Sequence, residues 1–230
     1  MRQRPQRLRL PSRATQQRRT ARWIAAQRSP FGRLTQAIGR ADQRALVTLR
    51  THGHTELGDR VVQGLGLFGE MGSGWIALAA AGAVLRPARR DRWLAAAGAA
   101  PVAILINYSV KLTIGRRRPL LEDHPPLARA PSKLSFPSAH STSSVTAAIV
   151  LGRVSPRARP GLYALAAAIC AGRPYLGMHY PSDVLAGAAL GTVVGRLYPL
   201  PEPRAAGSGQ PPAPPAAVAE EAQLVVEPAS

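Results

Sequence analysis

Acidic residues and thiols are scarce in this chain of 230 residues. It has 12 Asp and Glu against 30 Lys and Arg, giving a formal net charge of +18, and its only lysines are Lys111 and Lys133. So large a basic excess favours an anionic partner, whether phosphate, nucleic acid or an acidic membrane surface. The single cysteine, Cys170, excludes an intramolecular disulfide and a zinc site of several thiolates. It cannot serve a C-x5-R cysteine phosphatase either, because Leu176 stands six positions after it.

Carboxylates are scarcest in the middle of the chain. Between Arg92 and Pro201 they are confined to three positions, Glu122, Asp123 and Asp183, and the first two are adjacent. Metal-dependent phosphatases hold their ions with several carboxylates, so this stretch is too poor in them for a two-metal clamp. We therefore expect no metal and no cofactor, with arginine and lysine supplying positive charge in their place.

The polar residues are concentrated at the two ends, so the mean hydropathy of −0.06 hides an apolar middle. Residues 1–33 hold ten arginines and are predicted to form a disordered basic arm, while 199–230 are rich in Pro and Ala and are predicted to form a disordered tail. No cleaved signal peptide is expected, because Trp23 to Ala26 is too short for its apolar region. The arm has little aromatic content, so no specific nucleic-acid binding is expected.

Five apolar segments lie between these ends, and no stretch alternates as a strand would. Residues 66–85 contain one charge, Glu70, and residues 93–110 contain none in eighteen, so both can span a hydrocarbon core of about 30 Å. Three weaker segments, rich in Ala and Gly, follow at 134–152, 161–172 and 184–195. Alone they could be buried helices, whereas with their flanking polar residues they reach spanning length. The predicted fold is all-α, a multi-span transmembrane helical bundle over 66–198.

Residues 34–65 are predicted to form peripheral helices. Apolar residues recur at spacings of three and four in the first part, at Leu34, Ile38, Ala41, Ala45 and Leu49. This pattern indicates an amphipathic helix that lies on a membrane surface or covers the bundle.

Arginine clusters indicate a topology in the cell membrane. One cluster lies between the first two apolar segments and another between the third and fourth: Arg86, Arg89, Arg90 and Arg92, then Arg153, Arg157 and Arg159. If both are cytoplasmic, the polar stretches 111–137 and 173–183 open together on the extracytoplasmic side. A single span at 66–85 would then leave the N-terminal arm outside. Either residues 56–72 re-enter or span, or the topology is inverted.

Three polar clusters fall at the ends of these segments. In the first, Lys111 precedes Arg118-Pro119 by seven residues, nearly two helical turns, so both cations are predicted to lie on one helix face and could meet one anion. A basic stop after a membrane helix is the alternative. In the second, Pro137 and Ser138 open a helix whose free N–H groups suit a phosphate, and His140 adds a titratable group there.

The third cluster has the pattern R-x5-H-x3-D, formed by Arg173, His179 and Asp183. A carboxylate four residues after a histidine can accept a proton from one imidazole nitrogen and leave the other free to attack. A helix cap is the alternative for Ser182 and Asp183. All three clusters fall where the segments are predicted to open on one side of the membrane.

In this order, K-x6-R-P, P-S-x-H and R-x5-H-x3-D resemble the three signature motifs of type 2 phosphatidic acid phosphatases, whose superfamily includes the vanadium haloperoxidases. The resemblance covers about residues 66–198. It implies that His179 attacks phosphorus to give a phosphohistidine, that Asp183 orients it, and that His140 protonates the leaving oxygen. It also implies a phosphate site formed by five residues, Lys111, Arg118, Ser138, Ala139 and Arg173.

Two positions depart from the family pattern, because Ala139 stands where glycine is usual and Gly172 where serine is usual. The first keeps the backbone N–H, and the second removes a hydroxyl contact. The predicted activity is that of a metal-independent phosphatase acting on a lipid phosphate or diphosphate of the polyprenyl phosphate, phosphatidylglycerol phosphate or phosphatidic acid type. The alternatives are a non-enzymatic basic protein that binds anionic lipid or nucleic acid, and a vanadate-dependent haloperoxidase-like enzyme.

Overall fold

A computed structural model describes residues 30–202, so most of the predicted arm and nearly all of the predicted tail lie outside the described residues. The described part is helical, and its one extended pairing is an isolated bridge between Arg117 and Leu134. In chain order the helices are α1 (Pro30–Thr51), α2 (Glu56–Gly69), α3 (Ser73–Leu85), α4 (Arg90–Ala97), α5 (Ala99–Ile114), α6 (Ala139–Val154), α7 (Arg159–Tyr175) and α8 (Pro181–Leu197).

Helix α1 begins at Pro30, within the predicted arm, and contacts the bundle through a side other than its predicted apolar face. Asp42, Leu46 and Arg50 are buried, whereas Leu34 and Ile38 of the predicted apolar face are exposed. Arg50 donates to the carbonyl oxygens of Pro125 at 2.8 Å and Tyr175 at 3.1 Å. The helix therefore docks through Leu46 and hydrogen bonds, and presents its predicted apolar face outwards, as a helix on a membrane surface does.

Helices α2 and α3 are nearly continuous and are separated by a 3-10 turn over Glu70–Gly72. Met71 and Gly72 have left-handed backbones there, with φ of 49° and 75°. Together the pair extends over Glu56–Leu85, and α4 with α5 extends over Pro87–Ile114; these are the two helical stretches of residues 30–202 that are long and apolar enough to cross a membrane. Helices α6, α7 and α8 are shorter, with 16, 17 and 17 residues.

The predicted third segment, 134–152, is helical only from Ala139 onwards. Ser138 is the N-cap of α6, and its side chain accepts a hydrogen bond from the Ser141 amide, as the sequence predicts. The four residues before it are not helical, which leaves their carbonyl oxygens free for other donors.

Helix α6 lies at the centre, against α5, α7 and α8. Glycines allow α8 to approach it closely: a Cβ at Gly187 would lie 2.6 Å from the Ser138 carbonyl oxygen, and one at Gly191 would lie 2.5 Å from that of Thr142. Close backbone packing of this kind is what small residues permit between membrane helices. It brings the first turns of α6 and α8 together, so that the Ser138 amide donates to the Asp183 carbonyl at 2.9 Å.

Candidate active site

The three polar clusters meet at one end of the bundle. They surround a cavity of about 30 Å³ whose lining includes Lys111, Arg118, Ala139, His140, Arg173 and His179. The prediction that Lys111 and Arg118 share a helix face is wrong, because α5 ends at Ile114 and Gly115 turns the chain with a φ of 67°. The loop that follows returns Arg118 to the cavity.

His179 has its two ring nitrogens in different surroundings. Nε2 lies 3.1 Å from Nη1 of Arg118 at the cavity wall, and Nδ1 lies 3.2 Å from the Ser135 hydroxyl. Burial, together with the nearby cations Arg118 and Arg173, lowers the pKa of His179 to about 3. The imidazole is therefore neutral at pH 7, with Nε2 carrying the lone pair when Nδ1 carries the proton.

Asp183 contacts His179 through a serine rather than directly. Its Oδ2 is 3.8 Å from Nδ1, which is too long for a hydrogen bond, and the Ser135 hydroxyl donates to that same oxygen. The expectation that Asp183 accepts the imidazole proton itself is thus replaced by a relay. In it, Nδ1–H donates to Ser135 and Ser135 donates to Asp183.

Arg116 holds the other oxygen of Asp183. Its Nη1 donates to Asp183 Oδ1 at 2.8 Å, and its Nη2 donates to Asp42 of α1 at 2.8 Å. Asp42 is 4% exposed and also accepts from the Ser182 amide at 2.9 Å. A buried carboxylate needs such pairing, so α1 helps to fix the start of α8.

Three cations face the cavity with different partners. Lys111 directs its ammonium group at the carbonyl oxygens of Leu134, Ser135 and Pro137, over 2.9 to 3.4 Å. It supplies charge to the cavity and also holds the segment before α6. Arg118 donates to the carbonyl oxygens of Ser132 and Met178.

Arg173 is the cation with unused hydrogen-bonding capacity. It is 4% exposed, and its buried Nε has no hydrogen-bond partner among residues 30–202. A buried guanidinium in this state is costly unless it meets an anion. Since Arg173 and His179 line the same cavity, that anion would lie beside the imidazole of His179.

His140 lies against α2. Its Nε2 is 3.1 Å from the Gly66 carbonyl oxygen and 3.5 Å from the Glu70 carboxylate. Glycine is needed at position 69 for this approach, because a Cβ there would lie 2.9 Å from His140 Cδ2. Glu70 is thus a carboxylate within reach of the predicted general acid.

The two departures from the family pattern have different surroundings. Ala139 lines the cavity, whereas Ser138, the other helix-start residue predicted to bind phosphate, is buried as the cap of α6 and does not line it. A Cβ at Gly172 would lie 2.8 Å from Val62 Cγ1 of α2. A serine would collide with that helix in this chain, so glycine suits the close contact of α2 with α7.

Sequence reasoning missed four residues of this site: Asp42, Glu70, Arg116 and Ser135. Arg116 stands two positions before a motif arginine in a run of three, and nothing in the run distinguishes it. Asp42 is the single acidic residue of α1, among basic and neutral side chains. Its isolation in a basic helix was the one signal in the sequence that could have identified it.

The arrangement provides what phosphoryl transfer requires. A neutral imidazole nitrogen, a second imidazole and cations for the phosphoryl oxygens surround one small cavity. Residues 30–202 place no three His, Cys, Asp or Glu side chains together as metal ligands.

The chain belongs to the PAP2 superfamily, whose family model matches residues 92–203. It is 44% identical over 138 residues to a decaprenylphosphoryl-5-phosphoribose phosphatase of Mycobacterium tuberculosis, a match that covers 59% of this chain and 75% of the relative. It is 43% identical over 123 residues to the protein of that name from Mycolicibacterium smegmatis, covering 52% and 66% of the two chains.

Solved structures share the fold. A transmembrane PAP2-type phosphatidylglycerolphosphate phosphatase from Bacillus subtilis superimposes with a TM-score of 0.56 at 24% identity, over 76% of this chain and 87% of that one. LpxE of Aquifex aeolicus superimposes with a TM-score of 0.53 at 25% identity, over 68% and 93%. The family and the general activity predicted from the three motifs, that of a lipid phosphatase, are confirmed.

Proposed function

We propose that this chain removes the phosphate monoester from a lipid-linked phosphosugar of the prenylphosphoryl-phosphoribose class. The observation that carries the chemistry is His179 Nε2, which lies 3.1 Å from an Arg118 guanidinium on a cavity shared with Arg173. The substrate class is supported by the two mycobacterial relatives, which are named for a decaprenylphosphoryl-5-phosphoribose.

The reaction proceeds in two displacements. Nε2 of His179 attacks phosphorus and forms an N–P bond, the P–O bond to the sugar breaks, and His140 gives its proton to the departing oxygen. Water then attacks the phosphohistidine with His140 as base, which releases inorganic phosphate and restores the imidazole. Arg118, Arg173 and Lys111 stabilise the charge on the phosphoryl oxygens, assisted by the amide of Ala139 at the start of α6.

The proposed setting is the cell membrane, crossed by α2–α3, α4–α5, α6, α7 and α8. Short helices such as α6 reach spanning length only with their polar ends in the interface. The arginine clusters lie at the end of the bundle opposite to His179, and the positive-inside rule places that end in the cytoplasm. Substrate would then be hydrolysed on the extracytoplasmic side.

A substrate panel tests this proposal. The purified chain in detergent should release phosphate from a short-chain prenylphosphoryl-5-phosphoribose faster than from phosphatidic acid or phosphatidylglycerol phosphate. Release should persist in excess EDTA, because arginine and lysine supply the charge, and should be lost in His179→Ala. Preference for either glycerolipid would overturn the substrate class, and loss in EDTA with recovery in Mg²⁺ would overturn the metal-free mechanism.

A further inference from the structure

A second, larger cavity lies beside the phosphoryl cavity. Its volume is about 530 Å³, the size of a site for a small ligand, whereas the first has about 30 Å³. Glu70, Pro131 and Arg173 line both, so the two cavities are neighbours across one wall. The small cavity accommodates a phosphoryl group, and the rest of any substrate must lie outside it.

The larger cavity lies between α2, the loop after α5 and the end of α7. Gln63 ties the first two of these elements together, since its side-chain amide donates to the Leu127 carbonyl oxygen at 3.1 Å. The Leu127 amide donates in turn to the Leu176 carbonyl oxygen at 3.0 Å, which ties the loop to the chain after α7. These two hydrogen bonds therefore hold the walls of the cavity together.

One of the lining residues is a cation that the catalytic chemistry leaves unused. Arg129 stands on the loop, is exposed, and forms no hydrogen bond or ion pair with the other described residues. Arginine is well suited to a phosphodiester, because its fork of N–H donors matches two phosphate oxygens. Arg173 also lines this cavity, but the proposed mechanism already assigns it to the phosphoryl group that is hydrolysed.

The remaining lining suits a sugar and a hydrocarbon chain. Glu70 stands on the shared wall, where its carboxylate can accept hydrogen bonds from sugar hydroxyls. Leu67, which is 73% exposed, forms part of an apolar lining with Leu127, Pro131 and Leu176. Besides the cations around His179, the two neighbouring cavities thus offer a carboxylate, one further cation and an apolar lining.

We infer that the cavity between α2 and the 127–131 loop binds the second phosphate of the substrate on Arg129, with the sugar between that residue and the phosphoryl cavity. The preferred substrate then carries two phosphates on one sugar: a monoester that is hydrolysed and a diester, linked to the lipid, that is only bound. This inference rests on the proposed function and adds the feature of the substrate that this chain selects.

The test compares two substrates that share the scissile bond. One is a short-chain prenylphosphoryl-5-phosphoribose, and the other is an alkyl riboside 5-phosphate, which lacks the diester. Arg129→Ala should raise KM about tenfold for the first, the size of one lost charge-assisted hydrogen bond, with kcat within about twofold. The alkyl riboside should show no comparable rise.

Arg117→Ala is the matched control, since Arg117 is an exposed arginine of the same loop that does not line the cavity. It should leave KM for both substrates unchanged. The inference would be overturned if Arg129→Ala left the KM for the prenylphosphoryl-5-phosphoribose unchanged. It would also be overturned if the KM rose equally for both substrates.

Inhibition separates this inference from the proposed function. A prenylphosphoryl ribose without the 5-phosphate should compete with whichever lipid phosphate the chain hydrolyses, and Arg129→Ala should weaken that inhibition about tenfold. Failure to hydrolyse any phosphoribose would remove the proposed function alone. Absence of inhibition, or equal inhibition of both proteins, would remove the second-phosphate site.

Discussion

At the scale of single residues, the proposed nucleophile, His179, contacts a hydroxyl that no motif contains. Ser135 lies between His179 and Asp183 and touches both. Its hydroxyl accepts a hydrogen bond from the imidazole and donates one to the carboxylate, so Asp183 is linked to His179 only through that hydroxyl. Removing it should misorient the His179 imidazole without disturbing the cations that we propose bind phosphate.

Ser135→Ala should therefore lower kcat about tenfold, the cost of one hydrogen bond of about 1.4 kcal/mol, with KM within about twofold. Steady-state kinetics on a lipid phosphate measures this. Ser109→Ala serves as control, because that exposed hydroxyl donates only to the Leu105 carbonyl oxygen of its own helix. A kcat equal to that of the unmodified chain would show that Asp183 acts without the relay.

The motif residues could be predicted because their types are rare where they stand: one of two lysines, a histidine after Pro-Ser, and an aspartate in a stretch with few carboxylates. Ser135 and Arg116 could not, since serine and arginine are common here and only the tertiary contact distinguishes them. Lys111 shows a third case, because its presence at the site was predicted while its contacts with three carbonyl oxygens were not.

At the scale of helices, α2 forms one wall of the site because it lacks side chains where it meets the bundle. Gly66 accepts a hydrogen bond from His140 through its carbonyl oxygen, and Gly69 faces the same ring. The helix was expected as a re-entrant or spanning possibility over residues 56–72. Its contact with His140 is made by the backbone at Gly66 and Gly69, which hydrophobic periodicity does not predict.

Gly69→Ala should push His140 aside, because the new Cβ would lie 2.9 Å from the ring and 3.4 Å from Ile169 Cγ2. With His140 as the acid, kcat should fall several-fold for an alkyl phosphate and much less for p-nitrophenyl phosphate, whose leaving group needs no proton. Gly64→Ala in the same helix is the control, since its Cβ would meet nothing within 4 Å. Equal losses on both leaving groups would contradict the role of His140.

At the scale of the whole molecule, charge is divided between the two ends of the bundle. The His179 end holds its cations inside a cavity, while the opposite end carries exposed arginines at the turns before α4 and α7. The number of apolar segments was predictable from composition. The length of the last three segments could not be predicted from composition. The ends of α6, α7 and α8 that lie near His179 carry polar residues that belong to the site.

Single cysteines should report this orientation in a Cys170→Ala background. Ala130→Cys, on the exposed loop of the site, should react with an impermeant thiol reagent on intact cells. Ala88→Cys and Ala158→Cys, exposed in the two arginine-rich turns, should react only after permeabilisation. Labelling of all three cysteines from one side would contradict the placement of the two ends of the bundle on opposite sides of the membrane. Reversed labelling would place the His179 end in the cytoplasm.

Asp42 affects which fragment of the chain is the shortest that keeps the complete site. The match to the family begins at residue 92, so a fragment cut at that limit would keep every motif position. It would lose Asp42, whose carboxylate accepts hydrogen bonds from Arg116 and Ser182. It would also lose the Gly66 carbonyl and the Glu70 carboxylate, which lie beside His140. A transplant of these motifs into another helical bundle would need an equivalent of α1 and α2 before its two histidines could work together.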